Sequence, residues 1–224
     1  MSSRCFLGLL LMSCSSAFFL SVSATSAQAQ AGGTLQWRAN LAKSQGQTST
    51  GMLLHIEPFD YTSTLSETAT QSLLVDGVVE SSVVYGAPDS INVETWYKVK
   101  VLWRGPEPSV HPATVKETIP EQLRDLRPDE ILLMREGGTV IVDGVSITER
   151  GVKPLAVTKR YLFVLESLRN ASAYTTTLTE PVEVDDQGNI VHPAKMTVFS
   201  RSIAGYRGAD ELERYVQQIT QKHL

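Results

Sequence analysis

The chain has 224 residues, with 20 Lys and Arg against 24 Asp and Glu and a net charge of −4. Its charges are interspersed, the pattern of a solvated surface, and they form neither the basic excess nor the basic stripe of a nucleic-acid binder, so no nucleic-acid partner is expected. The two cysteines, Cys5 and Cys14, fall at the extreme N-terminus, which excludes a disulfide scaffold, a thiol nucleophile and a cysteine metal site from the rest.

Residues 1–29 read as an export signal. Arg4 is the only charge there, two apolar runs follow at 5–12 and 17–22, and Ala27-Gln28-Ala29 is an A-x-A cleavage site. Ser13, Ser15 and Ser16 interrupt the apolar stretch, so it falls short of the roughly 20 apolar residues of a spanning helix. No later segment has that length either. The expected product is exported, periplasmic or extracellular. It keeps 195 residues, and loss of Arg4 takes its net charge from −4 to −5. One domain of that size buries enough apolar surface to fold without cross-links. A competing reading is a lipid anchor, because Leu11-Met12-Ser13-Cys14 resembles a loose lipobox that would tether the chain at Cys14.

Residues 30–63 form an N-terminal extension. Thr34-Leu35-Gln36-Trp37 reads as a short strand, residues 44–51 as a polar loop, and Met52-Leu53-Leu54-His55-Ile56 as an edge strand stopped by Pro58. Thr64-Leu65-Ser66-Glu67 is a capping box, in which threonine and a glutamate three residues on satisfy each other's free backbone donors; it predicts a short helix to Gln71. Residues 73–84 predict a strand with a bulge or bend at Gly77. Residues 92–105 predict a long strand around which the rest is organised. Val93, Thr95, Tyr97, Val99, Val101 and Trp103 share its buried face, and Glu94, Trp96, Lys98, Lys100 and Arg104 share a wetter one.

Further on, residues 114–119 read as a strand, and 120–126 as one or two helical turns with Pro120 in the first position. Ile131-Leu132-Leu133-Met134 is short and buried. Residues 139–147 predict a hairpin turning at Asp143-Gly144, where both central residues need positive φ. Residues 155–166 predict a second long strand, covered on both faces near its end. Residues 174–178 and 182–184 are β-prone, 185–189 turn the chain, and 196–199 read as a last strand. The final helix carries Asp210 and Glu211 in its first turn and Lys222 and His223 in its last. Leu212, Tyr215, Val216 and Ile219 form its one apolar face. Short strands with turn signals between them predict a mainly β protein, a barrel or a sandwich. The β-domain spans 64–200, with a short helix before its first strand, and the C-terminal amphipathic helix, 201–224, packs on it.

The order of features over residues 74–165 resembles a family pattern. Val75-Asp76-Gly77-Val78-Val79 is followed by Tyr97-Lys98-Val99-Lys100-Val101-Leu102-Trp103-Arg104-Gly105, then a Gly137-Gly138 step, then Arg160-Tyr161-Leu162-Phe163-Val164-Leu165. It is similar to secreted bacterial β-domains of unassigned function and, more distantly, to netrin-like, metalloproteinase-inhibitor-like domains of the OB-fold. The resemblance implies an OB-like closed barrel of five or six strands. The inhibitor family caps a protease zinc with an N-terminal cysteine held by disulfides. No cysteine follows Cys14 here, so protease inhibition does not carry over.

No G-x-S-x-G, H-E-x-x-H, P-loop or dinucleotide fingerprint is present. His55, His111, His192 and His223 are scattered without ligand spacing, so neither a metal nor a cofactor is expected. Trp96, Lys98, Lys100 and Arg104 form the candidate binding patch, an aromatic among cations on one strand face. The competing reading covers Trp96 with the N-terminal arm or the C-terminal helix. The expected function is a non-catalytic binding or interaction protein of the cell envelope, with a protein or envelope component as partner. The alternatives are a hydrolase or other enzyme with a loop-built site, and a purely structural envelope component.

Overall fold

The computed structural model describes residues 33–53, 63–106, 119–168, 173–176, 180–193 and 196–221. The export segment 1–29, with Cys14, lies outside them, as do 114–118 of one expected strand and 54–56 of another.

The first described element is helix α1 (Leu35–Ser44), where a strand was expected. The Thr34 hydroxyl accepts the Trp37 N–H, an N-cap, and Leu35, Arg38, Ala39 and Ala42 fall on one buried helical face. Strand β1 (Ser49–Leu53) follows, taking part of the expected polar loop into a sheet. Helix α2 (Leu65–Gln71) starts on the capping box, with the Glu67 carboxylate accepting the Thr64 N–H at 2.8 Å.

Strands β2 (Leu73–Tyr85) and β3 (Glu94–Arg104) form a long antiparallel pair. The expected helical turns near 120–126 reduce to one 3-10 turn, Glu121–Leu123, with Pro120 just before it. Strand β4 (Glu130–Glu136) pairs with β3, and β5 (Gly138–Val142) and β6 (Val145–Arg150) form the hairpin. At its turn Asp143 and Gly144 have φ of 49° and 78°, as an Asp-Gly turn requires.

Strand β7 (Arg160–Ser167) begins later than the expected 155. Before it, the Leu155 and Ala156 N–H groups donate to the Tyr97 and Tyr161 hydroxyls at 3.2 and 3.1 Å, so 155–156 bond to side chains and join no ladder. Strands β8 (Tyr174–Thr175) and β9 (Val182–Val184) follow. The expected last strand at 196–199 is replaced by helix α3 (Val198–Ile203): the Thr197 hydroxyl accepts the Ser200 N–H at 3.1 Å, and Phe199 and Ile203 are buried. Helix α4 (Ala209–Gln221) stands where its apolar periodicity placed it.

Strands β2, β3, β4, β8 and β7 are hydrogen-bonded in that order, and β7 returns to β2, closing a five-stranded barrel. Neighbours run antiparallel except β4 and β8, which are parallel. Closure requires β2 to pair along both edges, so it must coil. It does so through register shifts at Asp76/Gly77 and Val79/Ser81. A Cβ on Gly77 would lie 2.7 Å from Val99 Cγ1 and 2.8 Å from the Lys100 carbonyl oxygen, which is why glycine occupies the bend.

The barrel interior holds Leu73, Val75, Tyr97, Val99, Leu133 and Phe163 among others. Outside it, Leu162 and Val164 pack with Phe199, Ile203, Leu212 and Val216 of α3 and α4. Strand β7 is therefore apolar on both faces because both faces are covered. A second sheet, β1-β6-β5, carries α1 through Leu35, Ala39, Ala42, Val142, Val145 and Ile147. Beneath α1, Arg38 pairs with Glu149; both side chains are buried, and the second Glu149 oxygen accepts the Val93 N–H at 2.7 Å. Among the described residues no helix is long and apolar enough to cross a membrane.

Candidate functional site

The expected patch on β3 is not one exposed face: Lys98 and Lys100 are half-buried and Arg104 is exposed, but Trp96 is covered. Trp96 is 2% exposed, packed among Ile119, Leu123, Leu132 and Ala173, with its Nε1 donating to Glu94 at 2.9 Å. Neither the N-terminal arm nor the C-terminal helix accounts for this cluster. The segment around the 3-10 turn covers the outer face of β3 and makes it as dry there as the inner one. Lys98 Nζ donates to the Asp125 carbonyl at 2.9 Å and lies 3.7 Å from the buried Glu130 carboxylate. Lys100 is half-buried in mid-strand, opposite Val78 and Glu130. Arg104 donates to the Tyr174 hydroxyl at 2.7 Å, with its guanidinium 5.8 Å from that ring's centre. Lys98 and Arg104 brace the barrel wall, and Trp96 fills the layer over it.

The structure instead opens a hollow at one barrel end. Alternation along a strand sends Ile131, Leu133 and Arg135 of β4 inward, and Thr95, Tyr97 and Val99 of β3 likewise. Thr95 and Arg135 are cross-strand partners, so a hydroxyl and a guanidinium end the apolar interior. There the chain leaves the barrel through Gly137 and Gly138, with φ of 107° and 138°. Thr95 Oγ1 donates to the Gly137 carbonyl at 2.6 Å. A Cβ on Gly138 would lie 2.6 Å from Val84 Cγ1, so the swing into β5 requires glycine on both counts.

Between this barrel end and the second sheet lies a hollow of about 470 Å³, lined by Thr95, Tyr97, Arg135, Gly138, Thr148 and Lys153 among others. A smaller one of about 240 Å³, lined by Tyr161, Glu180, Val182 and His192, adjoins it. Lys153 and Pro154 line both, so this stretch is a strap between them. Arg135 holds the strap: its Nη1 donates to the Lys153 carbonyl at 2.6 Å, and its Nη2 donates to Glu180 at 2.6 Å. Its side chain is 1% exposed, and its Nε–H is buried with no partner among the described residues.

The lining carries Arg135, Arg150 and Lys153 against Glu136 and Glu149, and of these acids Glu149 is neutralised by Arg38. Burial raises the Glu94 carboxyl above its ordinary value, and the cross-strand charge of Glu136 adds to that, against a lowering by Trp96. Chemically the arrangement is a cationic, half-enclosed hollow, with one buried donor left without a partner in the Arg135 side chain. Among the described residues no group of three or more His, Cys, Asp or Glu side chains converges as a metal site would require. The chain matches no family model, no curated protein and no solved structure.

Proposed function

We propose that this chain is an exported β-barrel domain of the cell envelope that binds a partner protein or envelope component at the barrel mouth. The single observation carrying this reading is the 470 Å³ hollow ending on the buried Arg135 guanidinium. Its volume falls in the range of about 300–1,000 Å³ usual for ligand pockets, and a few fixed polar groups in a concave lining are what such sites use for orientation. Export rests on the pattern of residues 1–29. The five-stranded closure of the barrel, with β2 pairing both β3 and β7 and β4 parallel to β8, agrees with the OB-like barrel that the resemblance over residues 74–165 implies. Barrels of that kind bind ligands with their walls and loops.

The test is site-specific photo-cross-linking in the intact cell envelope. A photoreactive residue at Thr139, exposed on the lining, is expected to give a discrete adduct. One at Glu211, exposed on α4, is expected to give none. Equal labelling from both positions, or no adduct from Thr139 in the folded protein, overturns the reading.

A further inference from the structure

Arg135 carries a two-pronged donor edge, Nε–H with the neighbouring Nη2–H, whose spacing matches the two oxygens of a carboxylate. In this protein the edge is half used. One oxygen of Glu180 accepts from Nη2 at 2.6 Å, and the Nε–H beside it is buried with no partner. Arg160 shows the same edge filled: its Nε donates to Asp76 Oδ1 at 2.8 Å, and its Nη2 to Asp76 Oδ2. A buried donor left without a partner is costly, so the Arg135 edge favours any carboxylate that meets both prongs over Glu180, which meets one.

Arg38 also has a buried Nε–H without a partner. Its carboxylate, however, is fixed: Glu149 is buried and its second oxygen is held by the Val93 N–H. Glu180 differs in being 59% exposed, so moving it into water carries no desolvation penalty. Arg135 also lines the larger hollow, whose lining does not include Arg38.

We propose that the Arg135 edge is a carboxylate-binding site, and that Glu180 is the internal occupant which an incoming carboxylate displaces. This deepens the barrel-mouth reading and rests on it. The ligand is a monocarboxylate, the group that fills the same donor edge at Arg160 through the two oxygens of Asp76. Glu180 is then a built-in competitor, and its removal tightens binding.

The experiment titrates the ¹⁵N-labelled protein, isolated after export, with benzoate, its neutral isostere benzamide, and inorganic phosphate. It follows the Arg135 Nε–H resonance and the backbone amides of Gly137, Gly138, Val182 and Glu183. Benzoate is expected to shift the Arg135 Nε–H saturably in wild type, and at concentrations at least tenfold lower in Glu180→Ala. Benzamide and phosphate are expected to leave that resonance in place. Glu180→Gln keeps a neutral side chain over the guanidinium and preserves the ranking where the alanine variant fails to fold.

Benzoate binding no tighter in either variant than in wild type overturns the displacement. Phosphate moving the Nε–H more strongly than benzoate overturns the monocarboxylate assignment. Benzoate and benzamide shifting the hollow's amides alike, with the Arg135 resonance still, overturns the carboxylate site but leaves the hollow as a binding site. No response to any probe, in wild type or variants, overturns the carboxylate site, while the barrel-mouth reading stands or falls separately on the Thr139 cross-link.

Discussion

Helix α4 brings the Glu213 carboxyl against the buried Asp76, and Glu213→Gln tests whether the two share a proton. Asp76 on β2 is fully buried and held by Arg160. Glu213 on α4 is pushed up to about 7 from an ordinary 4.5, first by burial, then by its hydrogen bond to Asp76 and by the Asp76 and Asp210 charges. A carboxyl raised in the folded state binds its proton there more tightly than in the unfolded chain. The stability it contributes is therefore present at acid pH, falls from about 4.5 upward and is gone once pH passes about 7. Undamped linkage would give about 2.5 kcal/mol between pH 5 and 8. The side chain is only half-buried, and solvent screening reduces this to about 1 kcal/mol. Urea unfolding of wild type and Glu213→Gln at pH 5 and 8 isolates the effect, because every other titrating group cancels in the difference. Wild type should lose about 1 kcal/mol more than the variant on going to pH 8. Parallel pH dependence in the two proteins would refute the shared proton.

Glu149→Ala leaves the buried Arg38 guanidinium unpaired, and should cost about 3–5 kcal/mol of unfolding free energy in urea. The double variant Arg38→Met, Glu149→Leu, with no charge left to bury, should recover most of it. Trp96→Ala empties the layer over β3 and should cost about 3–5 kcal/mol in the same assay, where an exposed recognition residue would cost little. Gly77→Ala forces a methyl against Val99 and the Lys100 carbonyl at the bend of β2, so the midpoint of urea unfolding should fall by the equivalent of about 1–3 kcal/mol.

The parts of the fold legible in the sequence are those decided within a few residues. The Thr64 capping box, the Gly77 bend, the Asp143-Gly144 turn and the apolar face of α4 each follow from local backbone chemistry. Thr34 and Thr197 follow the same capping chemistry, yet the aromatic and β-branched residues after them, Trp37, Val198 and Phe199, pointed to strands. Burial of one helical face against the barrel or the second sheet overrode that weak preference. What covers Trp96 was illegible for a different reason. Alternation assigns two faces to a strand, but it cannot say that the outer face of this one lies under a distant turn.

The site was legible only in part. Arg135 continues the inward parity of Ile131 and Leu133 and precedes the Gly137-Gly138 step, so its place at the barrel end has a local signal. What it pairs with has none. Arg38, Arg160 and Arg135 meet their carboxylates across 111, 84 and 45 residues, and charges so far apart along the chain look like scattered surface charge. Once folded, the three diverge by the setting of the acid. Asp76 matches both prongs of Arg160, and Glu149 is locked by a backbone N–H, so neither can be exchanged without leaving a buried charge bare. Glu180 meets one prong from the solvent side. Exchange at low cost needs an exposed acid on a buried, under-used guanidinium, and of these pairs only Arg135 and Glu180 meet that condition.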